Sequence, residues 1–324
     1  MAGIFHAILG SFIGRIRHWF PPLVSGMVIT TIGLYLIPVG IRYPAGRAAD
    51  FQINNLNWGD FSHWSLALVV IIVALGYKFF TRGLTSSAAV LIGLFAGYLV
   101  GISTGAVNFR SVGKAAWFAF PMPLKYGLEF NIAAIIGMCL ISIVSAIETV
   151  GDISAIAKGG AGRESTDKEL AGGTYADGLG SALAGIFGGL PNTSFSQNVG
   201  IVSMTGVMSR GVVTIGAIFL IICGFIPKIG AVVSSMPIEM LGGGVILMFG
   251  MVVSAGVSML STVEWSRRNM IILATSMLVG LGLQAVPKSM QHLPDTLGML
   301  MTSGLLQVAV LAVVMNLLLP ANAD

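Results

Sequence analysis

Residues 190–206, Leu-Pro-Asn-Thr-Ser-Phe-Ser-Gln-Asn-Val-Gly-Ile-Val-Ser-Met-Thr-Gly, form a polar, Pro/Gly-punctuated run between apolar stretches at 178–189 and 211–226. A lipid-facing helix cannot carry Asn192, Thr193, Ser194, Ser196, Gln197 and Asn198 together, because hydrocarbon leaves each polar group without a partner. Non-helical backbone at membrane depth survives only where protein buries it or where it lines a cavity. Broken apolar segments of this kind point to the binding site of a transporter. The alternative is an ordinary loop between two helices.

Those flanks matter because the chain is membrane sequence throughout. Apolar residues make up 55% of its 324 positions and charged residues 9%. Several runs reach the roughly 20 residues that cross a bilayer. The pattern predicts an all-α polytopic membrane protein and excludes an ordinary soluble enzyme. The net charge of +4 fits membrane loops. No basic cluster interleaved with aromatics suggests a nucleic-acid partner. Cys139 and Cys223 sit apart in apolar stretches and read as small core residues. His6, His18, His63 and His292 fall in or near predicted loops without ligand-like spacing, so no metal site is indicated.

Spans are predicted at about 22–41, 64–80, 85–104, 127–150, 172–189, 211–227, 239–260, 268–286 and 298–319, with a short apolar piece at 1–16. Residues 42–63 read as a polar loop, and 105–126 as a loop with a short amphipathic piece around 114–120. The most hydrophilic stretch, 158–170, reads as a solvent loop. Cytoplasmic placement of Arg15 and Arg17 puts Lys78, Arg82, Lys158, Arg163 and Lys168 on the same side, a modest positive-inside bias. Pro22-x3-Gly26-x6-Gly33-x6-Gly40 echoes Pro237-x4-Gly242-x7-Gly250-x5-Gly256, which suggests two related halves.

Glu148 follows some twenty mostly apolar residues, and an ionisable group inside a span is a functional candidate by default. Asp152, four residues on, shares its helical face. Proximity and burial both favour a proton on one of the two carboxyl groups, which suits a proton carrier. The alternative places the pair at the membrane edge, in water. Asp177, early in a span of small residues, is either a buried proton-relay group or a helix-initial carboxylate favoured by the macrodipole. Gln197 offers an acceptor and two donors to a planar heterocycle, and Asn198 the same or a helix cap. Phe195 can stack on a flat ring or simply pack.

Gln197-Asn198-Val199-Gly200-Ile201-Val202-Ser203-Met204-Thr205-Gly206 resembles the signature motif of the nucleobase–ascorbate transporter family, also called nucleobase:cation symporter-2. Ser145-Ala-Ile-Glu-Thr-Val-Gly-Asp152 resembles that family's helix 8 carboxylate motif, and Ala176-Asp177-Gly178 its helix 9 aspartate. The resemblance runs over the whole chain, is strongest from 127 to 260, and is nearest the bacterial xanthine and urate permeases. It implies an inverted-repeat fold of fourteen segments with a core and a gate domain. On that pattern residues 1–126 are the remainder of the first repeat, 127–227 core helices with the break at 190–198, and 228–324 gate helices of the second repeat. About three spans of the pattern precede the first one here, so a transport-inactive fragment is one expectation.

By position, Glu148 matches the carboxylate that binds the base. Gln197 matches the amide on its opposite edge, Phe195 and Ser196 the neighbouring contacts, and Asn198 a structural determinant. Asp152 and Asp177 match positions of proton coupling and core integrity, and Thr205 a specificity-tuning threonine. The implied activity is proton-coupled uptake of purine nucleobases across the bacterial inner membrane by a homodimer in lipid, with the proton as coupling ion and no other cofactor. The rivals are a uracil permease, an anion transporter of related architecture, and an intramembrane enzyme. The intramembrane acids argue against an anion site, and no nucleophile–base pair or metal constellation supports an enzyme.

Overall fold

In the computed structural model the described residues are 1–16, 19, 21–46, 58–195, 198, 202 and 207–320. Within them the regular structure is helical: α1 (Ala2–Gly10), α2 (Pro22–Ala45), α3 (Phe61–Phe80), α4 (Ala89–Ser103), α5 (Ile132–Ala161), α6 (Asp167–Ile186), α7 (Arg210–Gly224), α8 (Pro227–Ser234), α9 (Ile238–Leu260), α10 (Arg267–Ala285), α11 (Asp295–Thr302) and α12 (Gly304–Leu318). Five of these, α2, α3, α5, α9 and α10, are long and apolar enough to cross a membrane, and α7 with α8 makes a sixth if that pair, bent by 88°, is one span. The chain is a multi-pass integral membrane protein. The helix α7 makes the point physically: it is apolar and exposed on every side, with Val213, Ile215, Phe219 and Leu220 each more than 60% exposed. A hydrocarbon environment makes such a surface inexpensive.

Several boundaries differ from the hydropathy reading. The predicted span 127–150 runs on to Ala161, because Asp152 is buried and hydrogen-bonded and therefore does not end the helix. It starts at Asn131, whose side chain accepts from the Ala134 N–H at 3.1 Å, and stops at Gly162 in the left-handed region, φ +65°. That conformation suits glycine, and the last carbonyls of the helix accept from the cap N–H. The amphipathic piece expected around 114–120 is helical only over Arg110–Lys114. The final span is two helices, α11 and α12, divided at Ser303. The short helix α8 went unforeseen. His6, expected in or near a loop, lies within α1 and is 3% exposed.

The chain forms two compact units. The first comprises Met1–Tyr35, Met122–Gly206 and Met251–Asp324, and the second Leu36–Pro121 and Val207–Gly250. In the first, Val24, Met27, Ile147, Ile272 and Val308 build a core between α2, α5, α10 and α12. Small residues set its closest approaches. A Cβ on Gly33 would meet the Val253 backbone N at 2.7 Å, and one on Gly256 would strike Thr30. The Gly26, Thr30 and Gly33 positions thus meet Leu260, Gly256 and Val253 in reverse order, so the two echoing segments pack antiparallel. The Thr30 and Thr31 hydroxyls donate to carbonyls four residues back and need no outside partner.

Arg268 joins the start of α10 to the end of α12. Its Nε donates to the Leu319 carbonyl at 3.1 Å and Nη2 to the Asn316 carbonyl at 2.6 Å. A planar fork is needed to reach both at once, and a cation is favourable at a helix C-terminus. Arg268→Lys should therefore lower stability by about 1–2 kcal/mol, read as the melting midpoint of the detergent-solubilised protein; an unchanged midpoint would show that water replaces the fork.

In the second unit, α3, α4 and α9 pack through Gly93 and Gly97, with a Cβ on Gly97 meeting Met240 Cγ at 2.8 Å. Leu66, Val70 and Met240 are the buried centre. After Lys114 the chain runs without helix past α8, where Phe118 stacks on Phe225 at 5.9 Å and Lys228 lies 4.4 Å over the Trp117 ring.

Candidate functional site

The site is built in the first unit on one face of α5. Residues 145, 148, 149 and 152 recur at three- and four-residue spacing, so they line one stripe of the helix. Each of three along that stripe holds a different neighbour. Ser145 Oγ donates to Thr193 Oγ1 at 3.0 Å. Thr149 Oγ1 donates to Asp177 Oδ2 at 2.5 Å, bridging to α6. Asp152 Oδ2 accepts from Ser194 Oγ at 2.6 Å. Glu148 lies half-buried on the same stripe, between these contacts.

The chain is non-helical from Gly189 to Phe195, as the polar run predicts. The segment is fastened to α6 as well as to α5. Ser181 Oγ donates to the Asn192 carbonyl at 3.0 Å and accepts the Asn192 N–H at 2.8 Å. One hydroxyl thereby satisfies both backbone groups that a helix would have paired internally. This is the compensation that broken backbone in a membrane protein requires. Gly180 makes room for it: a Cβ there would meet Asn192 Nδ2 at 3.2 Å.

The helix α6 is placed by a capping box. Thr166 Oγ1 accepts the Glu169 N–H at 3.3 Å, and the Glu169 carboxylate accepts the Thr166 N–H at 2.9 Å. In this polar loop, hydrogen bonds from Arg163 first, and then from Thr166, hold the Glu169 carboxyl down at about 2. Because that value lies below the usual carboxylate range, the pairing is complete above about pH 4.5 and is lost only as pH falls through about 2.

Of the residues singled out from the sequence, Glu148, Asp152 and Asp177 all belong to the α5–α6 pair, with Asp152 2% exposed. Phe195 belongs to the described non-helical stretch and is 49% exposed. Asn198 is exposed, and its N–H donates to the Phe195 carbonyl at 2.9 Å. Ser196, Gln197 and Thr205 lie outside the described residues. The hydroxyls of Ser145, Thr149 and Ser181 are the partners that sequence reasoning missed. For Ser145 and Thr149 the signal was present, since both fall on the period of Glu148 and Asp152.

Among the described residues no group of three or more His, Cys, Asp or Glu side chains is arranged to hold a metal ion. A cavity of about 700 Å³ in the second unit is lined by His63, Asn108, Arg110, Ser235 and Glu239, among others, and by none of the described candidate site residues.

A family model described as "Permease family" matches residues 1–289. The chain is 37% identical over 321 residues to the xanthine permease of Bacillus subtilis, covering 98% of this chain and 71% of that protein. It is 36% identical over 322 residues to the nucleobase transporter PlUacP of Paenibacillus larvae, covering 98% and 72%. It is 34% identical over 318 residues to the uric acid permease PucJ of Bacillus subtilis, covering 98% and 71%.

Proposed function

Since the chain belongs to this permease family, the nucleobase–ascorbate transporters and their bacterial xanthine and urate branch, we propose that it is a secondary active transporter. It takes up purine nucleobases of the xanthine or urate type across the inner membrane, driven by protons. The observation that carries this reading is the fastening of the non-helical 190–195 segment to the acidic face of α5 by Ser194–Asp152 and Ser145–Thr193. Thr193 and Ser194 thus lie against the stripe that holds Glu148, which supports a site shared with the residues that follow them in the chain.

The roles follow from chemistry. A purine of this type presents N–H donors on one edge and carbonyl acceptors beside them. The Glu148 carboxylate accepts from the donors, and a charge-assisted bond of this kind is about twice as strong as a neutral one. Gln197 reads the opposite edge with one acceptor and two donors. Phe195 covers a ring face, Ser196 adds a backbone contact, and Asn198 holds the turn that follows. Asp152 and Asp177 keep the core together and take part in proton coupling, and Thr205 tunes which purine fits. Residues 127–227 act as the core and 228–324 as gate helices, with 1–126 completing the first repeat. The core moves against the gate to alternate access, in a homodimer. The process is transport and needs no bond-breaking chemistry.

The experiment is uptake of labelled xanthine and urate by cells expressing the transporter, with and without a proton ionophore. Loss of at least about tenfold of the uptake on ionophore addition is the expected result; ionophore-insensitive accumulation would remove proton coupling. Gln197→Glu should change which purines compete, because it exchanges two donors for acceptors or one acid proton. An unaltered competition series would take Gln197 out of the binding site.

A further inference from the structure

The imidazole of His6 is a buried titratable group for which nothing above has a use. It is 3% exposed, and its Nε2 is buried without a hydrogen-bond partner among the described residues. It is held there by backbone. A Cβ on Gly3 would meet the Ala182 N at 2.5 Å and the Gly178 carbonyl at 2.6 Å, and one on Gly10 the Ala171 carbonyl at 3.2 Å. The helix α1 thus rests directly on α6, and His6 cannot swing out to water without parting the two helices. Gly178 stands against the Ala7 backbone and the Gly3 carbonyl, so its chain neighbour Asp177 lies beside the turn of α1 that carries His6, and the Asp177 carboxylate accepts from Thr149 on α5.

The neighbours leave this pairing distinct. On α6, Tyr175 is engaged with Ser11 at 2.8 Å, and Asp167 lies beside Gly14, well along the chain from His6. On α5 the charged residues are Glu148, Asp152 and, in its last turn, Lys158; Asp152 is engaged by Ser194. A buried polar atom with no partner is unusual enough to need a cause. A second state in which the partner arrives is one such cause.

We propose that His6 is the proton partner of Asp177: imidazole and carboxyl share one proton, and His6 sets the pH at which the pair loads. This rests on the proton-coupled reading above and adds a residue to it. Passing the proton breaks the O–H bond of the Asp177 carboxylic acid and forms an N–H bond at His6 Nε2. A carboxylate then stands beside an imidazolium, with the net charge of the pair unchanged. Two coupled groups of this kind titrate as a unit, so altering one moves the apparent value of the whole. His6 acts on transport through Asp177 and is a positioning residue, with no contact to the nucleobase.

The test is the pH profile of ionophore-sensitive uptake for wild type, His6→Gln, His6→Asn and Asp177→Asn. Both His6 variants should move the midpoint by about one pH unit, tenfold in proton concentration, with KM for the nucleobase within about twofold of wild type. A merely structural role would scale uptake and leave the midpoint in place. In the Asp177→Asn background, His6→Gln should produce no further shift.

A second measurement does not depend on the variants at His6 reaching the membrane. Nitrogen NMR of protein in which His18, His63 and His292 are replaced reads the His6 ring directly, and its titration should move when Asp177→Asn is added. Unmoved midpoints in His6 variants present at wild-type level, or a His6 ring indifferent to Asp177→Asn, would overturn the proposal. Wild-type uptake that ignores the ionophore would also overturn it, but by removing proton coupling as a whole.

Discussion

Glu148→Gln should abolish proton-driven purine uptake while leaving the transporter in the membrane at normal abundance. Glutamine keeps the shape and one acceptor but cannot ionise. The hydrogen bonds of a charged group are worth about 1.5–3 kcal/mol, so their loss weakens binding by roughly 10- to 150-fold. The same substitution removes a group that can hold a proton, so the residual flux should also lose its ionophore sensitivity. Glu148→Ala is less instructive, since it removes volume as well as charge. Uptake of labelled xanthine, normalised to protein in the membrane, is the measurement. Wild-type uptake in the Gln variant would take Glu148 out of both binding and coupling.

Gly178→Val should be among the most destabilising single changes in the core. A Cβ at Gly178 would strike the Ala7 backbone N and stand 2.7 Å from both the Ala7 Cα and the Gly3 carbonyl. The obstructing atoms are backbone on both helices, so no rotamer change relieves them and α1 must move off α6. Overpacking of this kind costs about 1–3 kcal/mol, more where nothing yields. The control lies on the same helix. Around Gly172 an added Cβ meets nothing within 4 Å among the described residues, so Gly172→Ala should stabilise α6 by about 0.5–1 kcal/mol through helix propensity alone. Melting of the two variants in detergent separates the readings: a Gly178→Val midpoint equal to that of Gly172→Ala would mean that α1 is not seated on α6. Because Asp177 adjoins Gly178, the displaced α1 should also shift the pH dependence attributed to His6.

Where hydropathy is locally uniform, the sequence is read correctly: α3, α9 and α10 fall within a few residues of their predicted spans. The break after α6 is legible for the same reason, since the polar groups of 190–198 cannot be satisfied in a lipid-facing helix whatever surrounds them. The Gly echo between 22–40 and 237–256 is also legible. Its physical meaning is not, because the spacing of glycines does not say which backbone they approach.

What the sequence by itself determined is therefore the class of solvent and the existence of the break; it singled out the acids at 148, 152 and 177 as candidates, with a membrane-edge or helix-initial position as the alternative. The tertiary structure decided their partners. From the sequence Asp152 is either a buried group on the face of Glu148 or a membrane-edge carboxylate; Ser194, forty-two positions away in the chain, donates to it, and the helix has no reason to end and continues to Ala161. His6 reads as a loop residue until Gly3, Gly10 and Gly178 bring α1 down onto α6 and close water out. Charge, hydropathy and helix period are properties of neighbours in sequence, whereas burial and hydrogen-bond partnership are set by segments that meet only when the helices pack.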